Sequence, residues 1–407
     1  MATLHTDVAI AGGGPAGVML GLLLARQGID VTVFEKHGDF FRDFRGDTVH
    51  PSTLNIIDAL GLRERFNAIE HRPLPQLDVV VNGIRIHLID FSTLPPPNRF
   101  VTLMPQWDLL DLLAEAGAEH PAFHLQMGAD VTDVIERDGR VRGVRVKTSD
   151  DEFEVEASLV VAADGRASTV RRAAGLVPHA YDVDLDVLWF RVPRPERRLP
   201  DTLGWAGPGG LVVTIPRPEY LQCAHLIPKG TFGGIRAEGI PAFHDRIARV
   251  VPRLSPVMDA VASFDDVKLL SVRIDRLPRW WQPGLLCIGD AAHAMSPVFG
   301  VGINYAIQDA VAAARVLVPT LRGPNAGPDE SAIDRACAAL QQRRGWPTAA
   351  MQGIQRLAHR LIGSDRVGTL IDNPPTRGQR AWLRFVLPVV RRRAMRIVAY
   401  GFRPERL

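Results

Sequence analysis

The stretch DVAIAGGGPAGVMLGLLLARQGIDVTVFEK, residues 7–36, constrains the fold more than any other part of the chain. Val8 to Ala11 is a short apolar run suited to a buried strand. Glycines follow, an apolar helical pattern runs to about Gln27, and Val31 to Phe34 resumes a strand. Such a strand, helix, strand unit crosses over in the right-handed sense and lays both strands parallel in one sheet. Gly12, Gly14 and Gly17 stand in G-x-G-x-x-G spacing, with Pro15 and Ala16 between them. A β-carbon there would block the chain reversal or the approach of a pyrophosphate, while the helix start offers N–H groups and a positive dipole end. Glu35, followed by Lys36, ends the second strand where a carboxylate can bind a ribose hydroxyl pair. A bare glycine pattern is a weak signal, but strand, helix and terminal acid together predict a dinucleotide site without choosing NAD or FAD.

Two later runs read as strands of the same sheet. EFEVEASLVVAADG changes from alternation to a continuous apolar run ending at Asp164, and GLLCIGD ends the same way at Asp290. Continuous runs suit strands covered on both faces. Between them, DVLWFRV, GLVVTIP and YLQCAHLIP alternate between Pro and Gly breaks, predicting an antiparallel sheet. Alternation sends Leu188, Phe190 and Val192 to one face and Trp189 and Arg191 to the other, and likewise opposes Tyr220, Gln222 and Ala224 to Leu221, Cys223 and His225. Which face meets a ligand is left open. After the linker RGPNAGPDES the sequence is helical. The expected division is a discontinuous dinucleotide-binding domain over 1–72, 98–181 and 265–325, an inserted domain over 73–97 and 182–264, and a helical region over 326–407.

Composition excludes several function classes. The 407 residues are 46% hydrophobic and 23% charged, and near balance of acids and bases leaves a formal charge of +3, so nucleic acid is not an implied partner. Cys223, Cys287 and Cys337 are far apart and fit no metal or CxxC spacing, which predicts a reduced, cytoplasmic setting. The first residues lack the basic start of a signal peptide, and apolar stretches such as WLRFVLPVV are broken by Arg or Pro before spanning length.

VVAADGRASTVRRAAG places Asp164 and Gly165 at a strand end, with Arg166 and Ser168 leading into a helix; a merely charged, capped turn fits this segment equally well. GDAAHAMSPVFGVGIN puts Asp290 at a strand end to accept from sugar-like hydroxyls. Gly300 and Gly302 then allow backbone to approach a flat ring, and a helix near Ile303 aims its positive end at that ring. A flavin becomes anionic at its pyrimidine edge when reduced, which suits that dipole. His293 has no partner at metal-ligand spacing, so no metal is expected, and a packing or hydrogen-bonding histidine is the favoured reading.

Together, in this order and spacing, the three motifs resemble those of the FAD-dependent aromatic hydroxylases, the single-component flavoprotein monooxygenases related to 4-hydroxybenzoate hydroxylase. The resemblance spans residues 1 to about 325. It implies an α/β fold: a Rossmann-like FAD-binding domain, an inserted antiparallel β-sheet domain for substrate, and a C-terminal helical region. It implies that Gly12, Gly14, Gly17 and Glu35 hold the ADP part of FAD and Asp290 its ribityl or pyrophosphate region. Gly302, Ile303 and Asn304 would line the pyrimidine edge, and Asp164 and Gly165 match a motif tied to both FAD and NAD(P)H use. FRGDTVHPSTLNIIDALGL and MPQWDLLDLLAEAG match more loosely, making Arg45 and Gln106 FAD contacts. The implied reaction reduces FAD with NAD(P)H, adds O2 as a flavin C4a-hydroperoxide and hydroxylates a phenolic or polycyclic aromatic small molecule. Pro297 would stand beside the ring, presenting a carbonyl without an N–H. The same resemblance leaves open an FAD-dependent reductase acting on a lipid or isoprenoid, a non-catalytic flavoprotein, and a homodimer. The halogenase motif WxWxIP is absent. LRFVLPVVRRRAMRIVAYGF joins apolar residues to arginines, which fits a solvated basic face on a packing helix better than peripheral membrane contact.

Overall fold

The computed structural model describes residues 3–41, 48–81, 84–196, 199, 204–217, 219–322, 329–362 and 392–407. Strand β1 (Thr3–Ala11), helix α1 (Pro15–Ala25) and strand β2 (Val31–Glu35) form the expected crossover, with β1 and β2 parallel. Helix α2 (Gln106–Ala118) returns the chain to β3 (Phe123–Met127), which pairs with β2. On the other flank of β1 lie β4 (Glu152–Ala162) and β5 (Leu285–Cys287), giving a parallel order β5-β4-β1-β2-β3.

The change of pattern along β4 has a visible cause. Its alternating half pairs with the antiparallel strand Arg140–Lys147, whereas its wholly buried half, Val160 to Ala162, lies between β1 and β5. Helix α1 is buried along nearly its whole length and packs against α2 and against α3 (Gly302–Leu321). Among the described residues one helix, spanning Val298–Leu321, is long and apolar enough to cross a membrane, yet it lies mostly buried as the core helix packed on α1 and α4 (Glu330–Ile362).

A second sheet runs in the order Lys268–Leu270, Leu185–Pro193, Tyr220–Pro228, Gly210–Pro216, Gly204–Gly207, Gln76–Val81, Ile84–Asp90. Its pairings are antiparallel except where Gly204–Gly207 joins Gln76–Val81 in parallel. Leu188, Phe190, Val192, Leu221 and Cys223 bury one face under the helices Phe232–Glu238 and Ile240–Val250. Trp189, Ile215 and Ala224 occupy the other face and pack with Leu74 and Leu103 of a small sheet formed by Thr48–Val49, Val101–Leu103 and Arg72–Leu74. His225 is on the helix-covered side.

A last helix spans 392–400. Met395, Val398 and Ala399 bury its apolar side against Ile89 and Phe91, while Arg392, Arg393 and Arg396 are exposed, so the described part of the basic C-terminal segment is a packing helix with a solvated face. Residues 383–391 of that segment, like Arg45, lie outside the described residues.

The glycines divide into two kinds. A β-carbon on Gly17 would sit 2.0 Å from the Gly12 oxygen, and one on Gly12, at φ +103°, 2.5 Å from the Ala163 oxygen, so the fold itself requires these two. A β-carbon on Gly302 would meet nothing within 4 Å. Gly17→Ala should therefore lower stability by about 1–3 kcal/mol in urea unfolding through overpacking. Gly302→Ala should stay within about 0.5 kcal/mol of the parent; equal losses in the two variants would contradict this division.

Candidate active site

The first turn is closed by its own acid. The Gly13 N–H donates to Glu35 Oε2 at 2.9 Å, and the His37 N–H donates to Oε1 at 3.1 Å, which fixes the carboxylate at the lip of the turn. Lys36 is exposed beside it. Helix α1 starts with Gly14 as its N-cap and Pro15 in the first turn, with no side-chain cap and no acidic residue there. Its first N–H groups thus have no intrahelical acceptor. A β-carbon on Gly14 would meet only the Ala163 oxygen, at 4.0 Å, so no described atom crowds that position.

The second motif lies next to the third. Asp164 Oδ2 accepts from the N–H groups of Thr169 (2.7 Å) and Val170 (3.2 Å), while Oδ1 is buried without a hydrogen-bond partner. Burial pushes this carboxyl above the ordinary range against those bonds. Gly165, at φ +86°, faces open space. Arg166 Nε donates to Asp290 Oδ2 at 3.1 Å, both side chains about one-third exposed. Arg171 is buried and donates to the carbonyls of Ala291 (2.9 Å) and Arg166 (2.8 Å). The turn and short helix after Asp164 are thus tied to the Asp290 segment by Arg166 on the Asp290 carboxylate and Arg171 on the Ala291 carbonyl. Gly289 is wedged between α1 and α3, its β-carbon position 3.2 Å from Ala16 Cβ and 3.4 Å from Ala306 Cβ.

His293 does not pair with Asp290. Its Nε2 meets Asp309 Oδ2 at 2.5 Å, and Asp309 also receives the Gly289 N–H (3.2 Å) and Arg344 Nε (2.9 Å). Burial alone would raise the Asp309 pKa, but His293 and Arg344 outweigh it and hold it below the ordinary range. Among the described residues no cluster of His, Cys, Asp and Glu has the makings of a metal site.

The loop between Asp290 and α3 is irregular and held from three sides. Gly300 N–H donates to the Pro297 carbonyl at 3.0 Å, so that carbonyl closes a turn in addition to any role beside a ring. Thr48 Oγ1 donates to the Gly300 carbonyl at 2.8 Å, and a β-carbon on Gly300 would stand 2.1 Å from that hydroxyl. Asn304 Oδ1 accepts from His50 N–H (2.9 Å) and Thr53 Oγ1 (2.7 Å), and its Nδ2 donates to the carbonyls of Gly300 (3.3 Å) and Thr48 (3.4 Å). Its side chain is committed inside the protein, which leaves the backbone N–H groups of Gly302, Ile303 and Asn304 as what this helix start presents. That start, like that of α1, has no side-chain cap and no acid in its first turn. Two uncapped glycine helix starts, together with a half-buried Arg166–Asp290 pair and an orphan buried Asp164 oxygen, fit a long anionic cofactor of the FAD type. Gln106 is half-buried at the first position of α2.

Sequence reasoning passed over the supports of this loop. Helix α4 buries Arg344, Thr348, Gln352, Gln355 and His359 along one side. Their spacing of four, four, three and four is a polar stripe at helical period, and that was the available signal. Gln352 Nε2 donates to the Asp275 and Ala294 carbonyls at 2.8 and 2.9 Å. His50 was also missed: its Nδ1 lies 2.7 Å from the Val398 carbonyl and ties helix 392–400 to the loop. Burial drives the His50 pKa from 6.5 down to about 4. The folded state therefore resists a proton that the unfolded chain accepts, and stability is lost as pH falls from 6.5 toward about 4. His50→Gln should reduce the loss of stability between about pH 7 and about pH 5 by about 2 kcal/mol, read from melting curves at each pH. An unchanged pH dependence would count against it.

Comparison with known proteins places the chain as a whole. The family described as "FAD binding domain" matches residues 5–338. The chain is 34% identical to 6-methylpretetramide 4-monooxygenase of Streptomyces rimosus, over 98% of this chain and 93% of that one. Among solved structures it is similar to Pseudomonas aeruginosa PqsL in complex with 2-aminobenzoylacetate, at 24% identity and TM-score 0.74, over 91% of this chain and 100% of that one. The OxyS anhydrotetracycline hydroxylase of Streptomyces rimosus superposes with TM-score 0.74 at 23% identity, over 97% and 76%. The chain thus shares its fold with these proteins and belongs to the FAD-binding family of oxidoreductases whose members include the flavin-dependent monooxygenases, with NAD(P)H as the usual reductant.

Proposed function

We propose that this protein is an FAD- and NAD(P)H-dependent monooxygenase that hydroxylates a phenolic or polycyclic aromatic small molecule with O2. The observation that carries the reading is the pair of uncapped helix starts, at Gly14 and Gly302, whose helices both adjoin Gly289 next to the Arg166–Asp290 pair. In this reading residues 1–72, 98–181 and 265–325 form the FAD-binding part, residues 73–97 and 182–264 the substrate part, and the enzyme works in the cytoplasm. Gly12, Gly14, Pro15, Ala16, Gly17, Glu35 and Lys36 surround the ADP end. Asp290, with Asp164 and Gly165 behind it, takes the sugar and pyrophosphate region. Gly302, Ile303 and Asn304 offer N–H groups to the pyrimidine edge, Gln106 approaches from α2, and Arg45 is assigned to the same cofactor by motif alone. When bound and reduced, FAD supplies the oxygenating chemistry that side chains lack.

The protein's share is binding, orientation and exclusion of water. Gly12 and Gly17 let the turn close, and Glu35 fixes it. Pro297, locked by its turn to Gly300, gives a rigid wall at the reaction site. The sheet face bearing Trp189, Ile215 and Ala224 is apolar, with Arg191 over the Tyr220 ring (4.9 Å) and Arg217 donating to Gln222 Oε1 as polar points on it. A flat apolar substrate with a few oxygens suits such a surface. His225, under the helices of the opposite face, is removed from substrate contact in this reading.

Purified protein should carry a yellow FAD spectrum, and one panel member of phenols or polycyclic aromatics should stimulate NADH or NADPH oxidation together with O2 uptake and gain one oxygen atom. Substrate reduction without O2 uptake would favour the reductase; failure to bind FAD would sink both. Asp290→Asn should weaken FAD binding by about tenfold, in line with loss of one charge-assisted hydrogen bond. Gly302→Ala should weaken it as well while leaving stability intact, measured by flavin fluorescence titration.

A further inference from the structure

Among the contacts of helix α4 with the loop between Asp290 and α3, one carboxamide grips both sides of Pro297. Gln355 Oε1 accepts from the Ser296 N–H at 3.2 Å, and Nε2 donates to the carbonyls of Ser296 (2.9 Å) and Val298 (3.0 Å). Ser296 Oγ accepts from the Val298 N–H at 3.1 Å and lies 2.6 Å from His359 Nε2, one helical turn beyond. Gln355 is fully buried, and Ser296 and His359 nearly so. Pro297 has no N–H of its own, so its peptide is steered through its neighbours. Around it three backbone groups, Ser296 N–H, Ser296 C=O and Val298 C=O, have Gln355 as their partner. Only an amide both accepts and donates in this way.

We infer that Gln355 is a positioning residue: it fixes the Pro297 backbone, and through the Pro297–Gly300 turn the entry into α3, in the register that receives FAD. The inference rests on the functional reading above. The Gly300 N–H bond to Pro297 and the Asn304 bonds to Gly300 carry the constraint from the proline to the first turn of α3. A tilt at residues 296–298 is thereby passed to the N–H groups of Gly302 to Asn304. Gln341, on the same helix, makes a similar grip on Trp280 N–H (3.0 Å) and the Pro278 carbonyl (2.8 Å); it bonds to no backbone group of residues 290–301, meets them only through the Trp280 ring beside His293 (4.9 Å), and serves as the control.

The test is FAD titration by flavin fluorescence, with the visible spectrum of the bound cofactor, on the full chain and its Gln355→Leu, Gln355→Glu and Gln341→Leu variants. Gln355→Leu should raise the FAD dissociation constant by about tenfold and alter the bound flavin spectrum, whereas Gln341→Leu should lower the melting temperature and keep FAD affinity within about twofold. Gln355→Glu covers the case in which the leucine variant does not fold. Set against two carbonyls, its carboxyl donates only when protonated and then to one of them, so FAD affinity should be partly recovered in acid and fall as pH rises. Parent-like affinity and spectrum in Gln355→Leu, equal losses of affinity in Gln355→Leu and Gln341→Leu, or a parent-like pH profile in Gln355→Glu would overturn the inference. Failure of the unmodified chain to bind FAD overturns the functional reading first, and is told apart because it needs no substitution.

Discussion

The segment from Gly289 to Val301 is at once irregular and largely buried, and backbone in that state must find hydrogen-bond partners outside regular structure. Side chains supply them from all over the chain. Asp309 takes the Gly289 N–H, Arg171 the Ala291 carbonyl, Gln352 the Ala294 carbonyl, Gln355 both ends of Ser296, and Thr48 with Asn304 the Gly300 carbonyl. Each of these side chains sits on a regular helix or strand, or beside one. The loop is thereby given the rigidity of its scaffold, as a site that must hold a cofactor to fractions of an ångström requires.

The same demand explains charges in the core. Arg344 and Asp309 are fully buried, with His293 on the second oxygen of Asp309, and Glu405 receives Arg343 Nε and Nη2 at 2.7 Å each. Burying such groups gains little by itself, since desolvation offsets most of the attraction. Their directional bonds instead fix geometry: α4 is held on α3, and residues 403–405 on both, through Arg344 to the Arg403 carbonyl and Gln308 to the Glu405 N–H. The C-terminal residues are structural neighbours of the glycine loop even though 100 positions separate Gly302 from Phe402 in sequence, where the Phe402 N–H approaches Tyr305 Oη at 3.4 Å.

The parts of this protein that are legible in sequence are those where local chemistry dictates the outcome. Residues 7–36 announce their crossover because apolar period, glycine turn and terminal acid all lie within thirty positions of one another. The switch from alternation to a continuous run locates β4 in the sheet, and alternation in LWFRV separates Phe190 from Trp189 correctly. What is illegible depends on distant partners. Nothing near Gln355 in sequence says that it will meet Ser296, and nothing near His50 points to Val398. Asn304 sits in a recognisable motif, yet its side chain is spent on Thr48, His50 and Thr53 of a different segment. Likewise which face of the second sheet lies under helices is decided by residues 232–250, not by the strands themselves.

The central claim is that one FAD molecule spans both glycine helix starts. Amide hydrogen exchange with and without FAD, resolved to short peptides, tests it directly. The account predicts slowed exchange on FAD addition at Gly14–Gly17 and at Gly302–Asn304 together, with the second sheet's helix-covered face unchanged. Protection at one helix start alone, or at neither, would contradict it.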